Sequence, residues 1–224
     1  MNFFLFQILP YIAFAVFILG SILRFDRDPY SWRSKSSQFL RRRQLIIGSV
    51  LFHVGILAIF IGHAVGLLTP IAVFDALGIS HAFKQMLAIV VGGVAGIFCF
   101  IGLLLLLHRR LFDPRIRATS SFADIMVLII LLVQLCLGLY SITESLKHPD
   151  GHEMVKFMEW AQHIVTFRGD AHLFLVDVAL VFKLHISLGL VLFIIWPFTR
   201  LVHAFSAPLG YVFRPYQIVR KRGT

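Results

Sequence analysis

Cysteine is scarce in this chain. Its 224 residues include two, Cys99 and Cys136, in separate apolar runs. That excludes a disulfide framework, and both read as small core or lipid-facing residues. No Cys-x-x-Cys-His occurs, so covalently attached c-type haem is excluded as well. Acidic residues are few, 11 against 21 Lys and Arg, for a formal charge of +10. Such an excess can signal nucleic acid, but here the basic residues lie mostly in short connections between apolar runs, where they set membrane topology. Gly/Ser linkers, low-complexity tails and internal repeats are missing, so nothing marks off a second domain.

What the chain has in quantity is apolar sequence. It is 58% hydrophobic and contains 23 Phe, well above the roughly 45–50% of soluble domains. A bilayer core of about 30 Å needs roughly 20 helical residues. Five segments are long enough, about 3–23, 44–68, 83–107, 122–143 and 174–204. The expected fold is an all-α membrane protein of five transmembrane helices, a single domain over residues 1–224 ending in a tail from 205. The first segment has no basic stretch before it and a basic cluster after it, so it reads as a retained helix and not a cleaved signal.

Loop charge alternates. Residues 24–43 carry Arg24, Arg27, Arg33, Lys35, Arg41, Arg42 and Arg43, and 69–82 carry no Lys or Arg. Residues 108–121 carry four Arg, 144–173 carry Lys147, Lys156 and Arg168 against five acids, and the tail carries Arg214, Arg220, Lys221 and Arg222. The positive-inside rule puts the N-terminus outside and the C-terminus in the cytoplasm. Within the long outer loop, Val155, Met158, Ala161 and Val165 fall at helical spacing, which predicts a short interfacial helix over 153–167.

Two of the apolar segments each carry a pair of histidines: His53 and His63 in one, His185 and His203 in the other. An imidazole inside a bilayer is costly unless something uses it. The segments run antiparallel, so depth pairs His63 with His185 toward the outside and His53 with His203 toward the cytoplasm. The spacings do not match: ten residues is about 15 Å of helix and eighteen about 27 Å. Eighteen residues is five helical turns, so His185 and His203 project from the same face of the last segment. Gly55, Gly62, Gly66 and Gly189 lie near these positions and would let a flat cofactor approach the backbone. No acid or cysteine clusters with them, which disfavours zinc. Neutral imidazole pairs in a helical bundle suit haem iron. Structural histidines in a non-redox anchor, and a histidine-lined metal transporter, are the rival readings. The remaining histidines, His81, His108, His148, His152, His163 and His172, read as solvated or interfacial.

The runs LFHVGILAIFIGHAVGLLTP (51–70), RRLFDPRIRATSSFADI (109–125), KLHISLG (183–189) and PFTRLVHAFSAPLGYVFRPYQIVR (197–220), with PYIAFAVFILGSILRFDRDPYSWRSKSSQ (10–38), resemble the membrane di-haem cytochrome b (gamma) subunit family of respiratory nitrate reductases over essentially the whole chain. The resemblance implies two haem b groups with iron ligated by His63 and His185 nearer the outer face, and by His53 and His203 nearer the cytoplasm. It implies oxidation of quinol (ubiquinol or menaquinol) beside the outer haem, with Lys84, Gly62 and His63 at that site. Lys84 would otherwise be a snorkelling lysine at a helix start. The resemblance also implies electron delivery to an iron–sulfur beta subunit and a molybdenum-containing alpha subunit on the cytoplasmic face of a bacterial inner membrane, with the basic loops and tail docking them. Arg109, Arg110, Arg200 and Lys183 are candidate partners for haem propionates. A related cytochrome b of a heterodisulfide-reductase-like or sulfur-metabolism complex is the alternative.

Overall fold

A computed structural model of the chain describes residues 1–32 and 40–206. Arg33, Lys35 and nearly all of the tail expected to dock partners, from residue 207 on, lie outside the described residues. The described residues are helical, with no strand among them. A π-helical turn, Phe4–Ile8, leads into α1 (Leu9–Arg27). Then come α2 (Arg42–Leu68), the short α3 (Ile71–Ala76), α4 (His81–Phe112), the one-turn α5 (Pro114–Ala118), α6 (Phe122–Ser145), α7 (His152–Val165) and α8 (Leu180–Ile195). Five spans are long and apolar enough to cross a membrane: Phe4–Arg27, Arg42–Leu68, His81–Phe112, Phe122–Ser145 and Leu180–Phe198.

Four spans run further than their apolar stretches predict, the first and third by the most. Arg24 and Arg27 close α1, and Arg109 and Arg110 close α4; cations at a helix C-terminus meet its partial negative charge, so the helix carries on through them. Side chains fix several starts. Ser121 and Asp124 form a reciprocal capping box on α6, and Ser80 caps α4. Asp113 caps α5. The backbone N–H of Ile116 and the Arg41 guanidinium hold the Asp113 carboxyl below the usual carboxylate range.

The last span corrects the sequence reading. Residues 174–204 are not one helix. Residues 171–175 form a 3-10 turn, α8 begins at Leu180, and it ends at Ile195. Pro197 has no N–H, and its ring would clash with the carbonyl four residues back, so the helix cannot continue through it. Two 3-10 turns follow, Trp196–Phe198 and Arg200–Ser206, with extended Thr199 between them. His203 therefore does not share a helix face with His185, and the 27 Å rise does not apply. Arg24 of α1 fastens the break: its Nη1 donates to the carbonyls of Pro197 (2.6 Å) and Thr199 (2.9 Å). Gly20 leaves room for the Pro197 ring, 2.8 Å from where a Cβ would stand.

The helices pack in the order α2, α4, α6, α8, α1, each against the next. α2 and α4 approach most closely, through glycines. A Cβ on Gly55 would stand 2.6 Å from the Ala95 carbonyl, and one on Gly48 3.1 Å from Leu105. With no hydrophobic drive between helices in lipid, such small residues let dispersion contacts hold the pair. The short helix predicted over 153–167 is present as α7. Met158, Ala161 and Ile164 are buried, and Val165 is exposed. Gly151 starts α7 with φ +83°, and a Cβ there would run into the His81 backbone, so only glycine fits. Both cysteines are free, Cys99 buried and Cys136 exposed.

Side-chain contacts gather the connections onto two ends. At one, Arg41 pairs with Asp113 (2.8 Å), Arg109 bonds the Leu40 carbonyl, and Ser206 bonds the Trp32 carbonyl. At the other, Gln7 bonds the Arg168 carbonyl, Trp160 that of Phe6, and Gln85 those of Ser145 and His148. The basic loops share the first end.

Candidate functional site

α2 and α8 are not packed neighbours. Their two stretches of chain face each other through three ring contacts at successive depths. His53 faces His203 with ring centroids 6.1 Å apart, Phe60 meets Trp196 edge-on at 6.3 Å, and His63 faces His185 at 6.3 Å. The break at Pro197 lets His203 turn toward α2 at the basic end. Phe60 and Trp196 stand between the two histidine pairs.

Each of the four imidazoles has its Nδ1 against a backbone carbonyl: Ser49 for His53 (2.7 Å), Ile59 for His63 (2.8 Å), Gln134 for His185 (3.1 Å) and Arg200 for His203. A carbonyl only accepts, so Nδ1 carries the proton in all four, and the lone pair is on Nε2. This is the second contact that metal-bound histidines make to fix tautomer and ring direction. Imidazole–metal bonds of about 2 Å put two facing nitrogens about 4 Å apart and their ring centroids about 6 Å apart. Both pairs have that separation. Among the described residues, no three His, Cys, Asp or Glu side chains cluster. Each pair thus offers two Nε2 lone pairs, a donor set that would hold a metal arriving with its other ligands already in a ring, as iron does in haem. The residues fit that group.

The surroundings differ between the pairs. At the basic end, Asp124 lies 3.4 Å from both Arg110 and Arg200, and Arg200 stands three residues before His203. Arg110 also bonds Ser120 (2.9 Å). Of the other propionate candidates, Arg109 reaches the Leu40 carbonyl, and Lys183, at the opposite end, bonds the Val176 carbonyl (2.6 Å).

Lys84 reaches α2 near its His63 end. It is 7% exposed, so it does not snorkel. Its Nζ donates to the Gly66 carbonyl (3.0 Å), one turn beyond His63, and to Met158 Sδ (2.8 Å) of α7. It also sits 3.7 Å above the Phe74 ring of α3. Gln162 of α7 fastens this corner by bonding the carbonyls of Leu67 (3.2 Å) and Thr69 (3.1 Å). An added Cβ on Gly62 or Gly66 would meet nothing within 4 Å, so both present open backbone. Gly55, by contrast, is spent on the α4 contact, and a Cβ added at Gly189 would stand 3.3 Å from Gln134 Nε2.

Some residues the sequence reading passed over. His163 is buried, not solvated, with Nδ1 2.7 Å from Asp170 and Nε2 3.4 Å from Glu159; its contact draws the Asp170 carboxyl below its ordinary range. His81 is half-buried and 3.3 Å from Asp75, while His108, His148 and His152 are exposed. Gln134 and Gly138, which hold His185, lay in plain view as an amide and a glycine inside the fourth apolar segment; a lone amide at that depth is itself a signal.

Residues 2–222 match the family described as the nitrate reductase gamma subunit. The chain belongs to that family. It is 50% identical over 222 residues to respiratory nitrate reductase 1 gamma chain of Escherichia coli (strain K12), covering 99% of this chain and 98% of that one. It is 44% identical over 218 residues to nitrate reductase gamma chain of Bacillus subtilis (strain 168), covering 97% of each. A nitrate reductase-like protein, NarX, of Mycobacterium tuberculosis is 34% identical over 222 residues, but the match spans 33% of that longer chain. As a gamma subunit, the chain is a multi-pass membrane component of an oxidoreductase complex and associates with other nitrate reductase subunits. The full-length match favours nitrate reductase over the sulfur-metabolism alternative.

Proposed function

We propose that this gamma subunit holds two haem b groups, oxidises quinol near the His63–His185 end and delivers electrons at the His53–His203 end to the iron–sulfur and molybdenum subunits of a bacterial nitrate reductase. One observation carries the reading: four imidazoles, in two pairs with ring centroids about 6 Å apart, each tied at Nδ1 to a backbone carbonyl so that the lone pair is left on Nε2. Haem bound there supplies a one-electron centre at each depth. Every other part of the task belongs to the chain. The carbonyl anchors fix the ring planes, the apolar helices keep water out, and Phe60 and Trp196 keep the two positions apart. The whole chain acts as one membrane domain.

Charge sets the direction. The basic loops gather at the His53–His203 end, which by the positive-inside rule faces the cytoplasm and the partner subunits, with the C-terminal tail on that side of the inner membrane. The His63–His185 end then faces outward. A quinol there releases two protons outward while its two electrons pass inward, and each charge moved across is worth about 2.3 kcal/mol per 100 mV.

Lys84, Gly62 and His63 form the quinol site in this reading. A lysine ammonium has three N–H groups. Those of Lys84 are spent on the Gly66 carbonyl, the Met158 thioether and the Phe74 ring. The thioether and the ring are weak partners, so a quinol oxygen can replace either. The open backbone at Gly62 and Gly66 admits the head group.

The decisive experiment purifies the chain with its partners and records a reduced-minus-oxidised spectrum. Two low-spin b-type haems per chain, reducible by quinol, are expected; no b-type band sinks the reading. Lys84→Ala is expected to keep both haems and lower kcat/KM for quinol by about ten- to a hundredfold, the worth of one hydrogen bond to a charged group. Quinol kinetics equal to the unmodified complex would remove Lys84 from the site.

A further inference from the structure

Three of the four imidazoles are anchored within their own stretch of chain. His53 and His63 use the carbonyl four residues back on α2, and His203 the one three residues back. Each carries its orientation with it. His185 is different. Its Nδ1 leaves α8 and bonds the Gln134 carbonyl of α6, 3.1 Å away.

α6 receives that ring in a shaped socket. A Cβ on Gly138, one turn along from Gln134, would stand 2.9 Å from His185 Cε1 and 3.5 Å from Nδ1. The Gln134 side chain closes the other side. Its Nε2 donates to the His185 carbonyl at 3.1 Å and lies 3.4 Å from His185 Nε2. The fit is reciprocal: Gly189, one turn along from His185, leaves the space that Gln134 Nε2 occupies, 3.3 Å from where its Cβ would be. A large residue and a glycine at i and i+4 on one helix thus meet a glycine and a large residue on the other. Any rotation or slide of α6 against α8 breaks both contacts together. Gln134 Oε1 is buried and has no hydrogen-bond partner, so the amide is held by its N–H side and by packing.

We propose that Gln134 and Gly138 of α6 are positioning residues for the redox centre at the His63–His185 end, and that His185 alone of the four has its imidazole anchored on a helix carrying none of the histidines. This rests on the haem-ligand reading above. In the physical account, the anchor sets the basicity and plane of His185, and loss of such an anchor lowers metal affinity by about 10- to 100-fold.

The test uses the complete complex in membranes, with low-spin haem resonances and haem-to-chain ratio as readouts. Gln134→Leu keeps the volume and removes the amide; Gly138→Ala presses a methyl on the ring. Gln134→Leu leaves the main-chain carbonyl anchor in place and loses the amide bond to the His185 carbonyl, so it is expected to shift the resonance of the outer haem; Gly138→Ala, which pushes the ring off its anchor, is expected to weaken that haem's retention about 10- to 100-fold; the inner haem's resonance is unmoved in both. The inner resonance reports folding. If Gly138→Ala disturbs both, Gln134→Leu decides. An outer resonance unchanged in position and amplitude in Gln134→Leu overturns the proposal, and so does an equal loss of both haems in that variant. An unmodified complex without low-spin haem would instead defeat the functional reading itself.

Discussion

His203→Ala is expected to leave one low-spin haem per chain instead of two and to cut quinol-dependent nitrate reduction by more than about a hundredfold, since losing an iron ligand exceeds the 10- to 100-fold cost of losing only a ligand's support. His203 faces His53 across 6.1 Å, at the end where the basic loops gather. The outer pair, His63 and His185, makes no contact with it and should keep its haem. Haem-to-chain ratio and reduced-minus-oxidised spectra measure the first effect. A soluble reductant that feeds the partner subunits directly should still support nitrate reduction, which locates the block in this chain. Two low-spin haems persisting in the variant would refute the pairing. The effect should be clean, because His203 lies beyond the α8 helix, in a turn that Arg24 fastens through the carbonyls of Pro197 and Thr199 and not through the imidazole.

Gly102→Val should be the most damaging single change to the fold. A Cβ at this position would stand 2.7 Å from the Gly48 carbonyl and 2.8 Å from Phe52 Cα, and would also strike the Phe52 nitrogen. These are backbone atoms, so no rotamer change relieves the clash, and α2 must move away from α4. Overpacking typically costs about 1–3 kcal/mol and more where backbone must shift. Because His53 follows Phe52 on α2, displacement there should also perturb the inner haem. Thermal unfolding of the purified complex, with haem content, tests this. Gly92→Ala on the same helix is the control: nothing lies within 4 Å of an added Cβ, and alanine improves helix propensity by up to about 1 kcal/mol. Equal stability of the two variants would show that α2 and α4 do not need the close approach.

Much of the candidate site was legible in the residues. Paired histidines in apolar segments are costly, so they stood out, and alternating loop charge ordered them by depth. Lys84 was legible only through family resemblance, because a lysine at a helix start is unremarkable; its burial under α7 depends on Met158, 74 residues away. His163 was misread, since its burial depends on Asp170, Phe174 and the turn that brings them over α7.

By itself, the sequence determined the number of spans, the gathering of basic loops, the short helix α7 and the four histidines, because apolar length, charge and 3.6-residue periodicity are local properties. Only the tertiary structure decided how those histidines meet. The mismatch between a 15 Å and a 27 Å rise disappears because Pro197 ends α8 and Arg24, 173 residues earlier in the chain, donates to the carbonyls of Pro197 and Thr199 beyond its end. His185 takes its direction from Gln134 and Gly138 on α6. Contacts between helices distant in sequence have no periodicity to read, so the fold had to place them.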